Sequence, residues 1–138
     1  MKAVDRDFSS IRVGEEASFT HEITAEDVDS FGKLSGDFNP LHMDSSYAAT
    51  TTHKQRVVHG MFLGSLVSQL IGMQLPGKRA LLLRESLDFK KAVHIGDTVT
   101  VRGTVVNKSE STRLLEIAIS VESENGKVAV GSVHSRVE

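Results

Sequence analysis

The chain has 138 residues, 39% of them hydrophobic and 25% charged, with a formal net charge of −2 at pH 7. That length suits one domain with its own core, and the near-neutral charge, lone tyrosine and missing tryptophan argue against a nucleic-acid surface. Cysteine is absent, which excludes disulfides, a thiol nucleophile and any cysteine-held metal.

The opening MKAVDRDFSS scatters its charges and has no apolar h-region, so a secretory signal is not expected. From about Glu16 to Ile23, Ala17, Phe19 and His21 alternate with polar neighbours and predict a first strand. Thr24 then reads as a helix N-cap, with Glu26 and Asp27 in the first turn, where acids suit the positive end of the helix dipole. Val28, Phe31 and Leu34 follow at helical spacing and are expected to face the core, and Gly36 is a stop. Residues 45–56 are polar and read as irregular or short-helical.

Val57 to Gly77 is apolar on nearly every side through its middle, which predicts a helix buried all round. Gly60, Gly64, Ser65 and Ser68 put small residues largely along one stripe, and LPG ends the helix. Its apolar run is too short to span a bilayer, so no membrane association is expected and the cytoplasm is the expected location. The second half is β-rich: ALLLRESLDF, TVTVRGTVVN, TRLLEIAISVE and KVAVGSVHSRV, with Asn125-Gly126 as a hairpin signal. Four long strands after one long helix call for an antiparallel sheet wrapped around that helix, an α+β architecture. No repeat or linker interrupts the chain, so residues 1–138 are expected to form a single domain.

The chemistry concentrates in SGDFNPLHMD, residues 35–44. Asp37 and His42 are close enough for an irregular loop to turn them to one point, and a carboxylate beside an imidazole can divide a proton's departure and return. Pro40 fixes its own φ and biases Asn39 towards extended backbone, while the Asn39 amide can hold the loop or orient a water. His59-Gly60 opens the long helix, where unpaired N–H groups can receive an oxyanion. Plainer readings compete. Asp-x-Asn-Pro is commonly an Asx turn, and Gly60 and Gly64 can serve close packing alone. Arg79, Lys90 and Lys91 can be solvated charges. Metal binding by Asp37, His42 and Asp44 fits neither an EF-hand nor a zinc pattern, and His21, His53, His94 and His134 receive no role.

FGKLSGDFNPLHMDSSYAATT, followed by VVHGMFLGSLVSQLIG, QLPGK and LDFKKAVHIGDTVTV, closely resembles the (R)-specific enoyl-CoA hydratases of the MaoC-like, hydratase-2 family. The resemblance covers most of the chain and weakens towards both ends. It implies the hotdog fold, a curved antiparallel sheet around one long central helix. It also implies hydration of a trans-2-enoyl-CoA to a (3R)-hydroxyacyl-CoA without metal or other cofactor. Residue by residue, Asp37 and His42 match the family's catalytic pair and Asn39 its supporting asparagine. Gly60 matches the glycine whose backbone N–H receives the thioester oxygen, and Ser68 a helix serine near the catalytic aspartate.

The likeness further implies a homodimer with sheets joined edge to edge and a site near the subunit interface. Arg79, Lys90 and Lys91 are candidates for the CoA phosphates. Three alternatives stand beside the hydratase: a (3R)-hydroxyacyl-thioester dehydratase acting on an acyl carrier protein, a thioesterase on the same fold, and an acyl-thioester binding module without chemistry. Retention of both Asp37 and His42 weighs against the last.

Overall fold

The computed structural model describes residues 1–138. After a short 3₁₀ turn at Phe8–Ser10, strand β1 (Glu16–Glu22) half-buries Ala17, Phe19 and His21, as their alternation predicts. Helix α1 (Ala25–Ser35) begins with a reciprocal cap: Thr24 accepts from the Asp27 N–H, and the Asp27 carboxylate accepts from the Thr24 N–H. Two short helices follow, α2 (Pro40–Met43) and α3 (Ser45–Thr50), then the long α4 (Gly60–Met73). The second half is four strands: β2 (Ala80–Phe89), β3 (Thr98–Ser109), β4 (Leu114–Ser123) and β5 (Gly126–Val137).

All five strands pair antiparallel in the order β1-β3-β4-β5-β2, which leaves β1 and β2 as the edges. The Asn125-Gly126 signal is realised as the β4–β5 hairpin, with Ser123 opposite Gly126 and Gly126 at φ +96°, a conformation glycine adopts without steric cost. Helix α4 lies against the sheet, contacting β1, β2 and β3. Its Phe62, Leu63, Leu66, Val67, Leu70 and Ile71 join Val99, Val101, Leu115, Ile117, Val121 and Val133 from the strands in one apolar cluster. This is the hotdog arrangement of the α+β class.

Two expectations are corrected. Leu34 does not face the core; it is 86% exposed. At about 100° per residue, a step of six turns it roughly 120° away from Val28, and the buried stripe runs through Val28 and Gly32 instead. Nor is α4 buried all round. Met61 is 62% exposed, and Ser65 and Ser68 also face outwards, because the sheet of one chain covers the helix from one side only. The same open flank continues onto edge strand β2, where Leu81, Leu82, Leu83 and Phe89 are exposed. A Leu70→Ala substitution removes a fully buried side chain from the α4–sheet contact and is expected to cost about 2–5 kcal/mol in urea unfolding.

Glu85 of β2 turns towards α4. Its Oε2 lies 2.8 Å from where a Cβ on Gly64 would stand, and its Oε1 is buried without a hydrogen-bond partner. Burial raises its carboxyl above the ordinary value of 4.5. The folded chain therefore holds this proton more readily than the unfolded chain, so the group's contribution to stability falls as pH rises from the ordinary value through the folded one. Glu85→Gln is expected to raise Tm at about pH 7. The gain over the parent protein should shrink towards zero in melts taken below the ordinary carboxyl range.

Candidate active site

The loop after α1 is fixed by short-range bonds. Asp37 donates its N–H to Ser35 Oγ at 3.1 Å, and its Oδ1 accepts the Asn39 N–H at 3.1 Å. Asn39 in turn caps α2, its Oδ1 accepting the Leu41 N–H at 3.0 Å, and Pro40 occupies the first helical position, where a missing N–H costs nothing. The Asx-turn reading and the site reading therefore describe the same residues. These bonds leave the other Asp37 carboxylate oxygen without a protein partner and place His42 on a single helical turn rather than on irregular loop.

Distant residues complete the geometry. His42 Nδ1 lies 2.7 Å from the Val57 carbonyl oxygen. A carbonyl only accepts, so Nδ1 carries the hydrogen, and in the neutral ring Nε2 keeps a free lone pair. Arg56 donates to the His42 carbonyl and to the Asp29 carboxylate, pinning α2 to α1. His59 is 2% exposed; its Nε2 donates to the Asp37 carbonyl at 3.0 Å, and its ring stacks on that of His42 with centroids 4.1 Å apart. One ligating atom from each of Asp37, His42 and His59 falls within 4.8 Å of the others. Such a trio has the donor chemistry of a divalent-ion set, since each ring commits one nitrogen to a backbone carbonyl and keeps the other unpaired.

Gly60 begins α4, so its N–H has no intrahelical acceptor. A Cβ here would stand 3.2 Å from the Phe89 ring, tighter than an ordinary contact, so this approach favours glycine. His42 and Gly60 line a common cleft of about 370 Å³ with Val57, Leu63, Phe89 and Val93. It brings together an imidazole, a helix amino end and apolar walls, the combination that can hold an uncharged chain beside developing charge.

The other candidates are placed differently. Lys90 and Lys91 line the same cleft, and Lys91 Nζ donates to the Asn125 carbonyl. Arg79 sits beyond the opposite end of β2, roughly 30 Å away along the strand, where it pairs with Asp5 and Asp7 and holds the Asp5 carboxyl below its usual range. Arg79 is thus not brought to the cleft of its own chain. Ser68 is exposed on α4, eight residues past Gly60 and about 12 Å along the axis, without a hydrogen bond to Asp37. Asp44 caps α3, accepting from the Ser46 and Tyr47 N–H groups. Sequence reading missed Arg56 and the His59 side chain. Each reaches a partner 14 or more residues away, and no local spacing announces such a contact.

A family description of the MaoC-like domain matches residues 9–127, and the chain belongs to that family. It is 41% identical over 121 residues to the (R)-specific enoyl-CoA hydratase of Aeromonas caviae, covering 88% of this chain and 90% of that protein. The solved (R)-hydratase from A. caviae, described as involved in PHA biosynthesis, superposes with a TM-score of 0.90 at 38% identity, covering 94% of this chain and 98% of that one. The 3-hydroxybutyryl-CoA dehydratase of Methylorubrum extorquens is 33% identical over 111 residues, covering 80% of this chain and 71% of that protein.

Because Arg56 is the one side chain bonded to both α1 and the backbone of His42, Arg56→Ala should loosen α2. The expected cost is about 1.5–3 kcal/mol, the range for a hydrogen bond to a charged group, read from denaturant midpoints.

Proposed function

We propose that the protein hydrates trans-2-enoyl-CoA thioesters to (3R)-hydroxyacyl-CoA. The observation that carries the reading is the meeting of His42 and Asp37 at the amino end of α4, beside a cleft that also holds the first N–H of that helix. One water is consumed. His42, with Nε2 free, and Asp37, with one carboxylate oxygen free, share it: an O–H bond breaks, the hydroxyl bonds to C3, and a proton is delivered to C2. Negative charge that builds on the thioester oxygen is met by the Gly60 N–H, so the step calls for no cofactor and no metal. Asn39 supports the pair by capping the turn that carries His42.

Lys90 and Lys91 at the cleft are the candidates for the CoA phosphates. Residues 1–138 act as one domain in this reading, and two copies associate through the β2 edge, whose exposed leucines would otherwise face water beside unpaired backbone groups. Arg79 and Ser68, both away from the site of their own chain, contribute only if the second copy uses them. The same atoms run the reverse reaction, and the likeness to a 3-hydroxybutyryl-CoA dehydratase favours dehydration as the second reading.

The purified protein is expected to deplete enoyl absorbance with crotonyl-CoA and to give the (3R) product on chiral analysis. Asp37→Asn and His42→Ala should each lose about 10²–10⁴-fold in kcat while remaining folded, the span usual for general acid–base groups. Undiminished turnover in either folded variant would defeat the assignment.

A further inference from the structure

His59 is buried with a nitrogen to spare. Its ring lies between two others: stacked on His42 at 4.1 Å and 27°, and edge-on to Phe31 at 5.0 Å and 63°. Its Nε2–H holds the Asp37 carbonyl, and its Nδ1 is fully enclosed with no hydrogen-bond partner. As the residue that precedes the first turn of α4, it makes no side-chain cap bond to that helix. A buried polar ring that neither caps its helix nor satisfies both nitrogens carries a desolvation cost, and packing alone would be met more cheaply by phenylalanine or leucine. What this ring does do is touch both members of the pair. It grips the backbone of one and forms the wall behind the ring of the other.

We propose that His59 is a positioning residue for the reaction, acting on Asp37 through its Nε2–H and on His42 through its ring face. The inference rests on the hydratase reading of the Asp37–His42 pair. The hydrogen bond fixes where the Asp37 carboxylate starts from. The stack fixes the plane in which the His42 ring turns its free Nε2 to the water. Neither contact reaches the substrate, so His59 acts only through the two residues it holds.

The two contacts can be removed separately. His59→Gln keeps an N–H donor near the Nε2 position and loses the ring. His59→Phe keeps a flat ring and loses the donor. Each is expected to lower kcat for crotonyl-CoA hydration about 10–100-fold, as residues that orient a reacting group through a bond commonly do, with KM changed less than about threefold. The double variants carry the decision, since groups that act as a unit are not additive. The Gln change should cost nothing further on a His42→Ala background, and the Phe change nothing further on Asp37→Asn. Losses that multiply with the parent variant, full activity in both single variants, or failure of both to fold would overturn the proposal. Parent protein that binds crotonyl-CoA without hydrating it would instead bring down the hydratase reading itself, before any variant is compared.

Discussion

Everything functional in this molecule depends on how the loop at residues 36–42 is held against the segment at residues 56–60. Four hydrogen bonds join them, all to backbone carbonyls: His59 to Asp37, Arg56 to His42, His42 to Val57, and the Val57 N–H to Leu41. Each is worth about 1 kcal/mol net, more for the guanidinium. Their importance lies elsewhere. The loop belongs to no sheet, so beyond the bonds of its own short turns its polar groups find partners in this seam. Were the seam to open, Asp37 and His42 would keep their local turns but lose the common point they face.

The seam is positioned by the core beneath it. Helix α4 is locked on the sheet by six apolar side chains on one face, and its amino end therefore emerges at a fixed place beside α2. The reactive side chains ride on a loop (Asp37) and a short helix (His42) at the rim, while the strands supply rigidity and no candidate catalytic side chain. Pro40 and Asn39 set the turn locally, and α4 supplies both the oxyanion donor and the neighbour that the turn rests on.

The open flank formed by Met61, Ser65 and Ser68 on α4 and by the exposed leucines of β2 is the other organising feature. Glu85 lies within it, half-buried and short of a partner for Oε1. A carboxylate at that place opposes the apolar character around it, and its raised proton affinity follows from burial alone. The same flank carries Ser68, which is exposed there and makes no hydrogen bond to Asp37 of its own chain.

Much of this was legible in the residues. Alternation and the Asn125-Gly126 turn give the strands, capping chemistry gives the start of α1, and the Asp37-x-Asn39-Pro40 order gives a stiff turn, because each rests on neighbours in sequence. Leu34 was misread because a three-residue step drifts around a helix, and the side that α4 buries could not be told while every side looked apolar. What only the tertiary structure decided is which distant groups meet. Arg56 bracing His42, His59 beneath both members of the pair, Arg79 drawn off to Asp5 and Asp7, and Lys90 and Lys91 at the cleft are all long-range contacts. Local spacing sets the direction of a side chain relative to its own element. The partner it meets is set by how the elements pack, and that is fixed by the buried apolar surface of the whole chain.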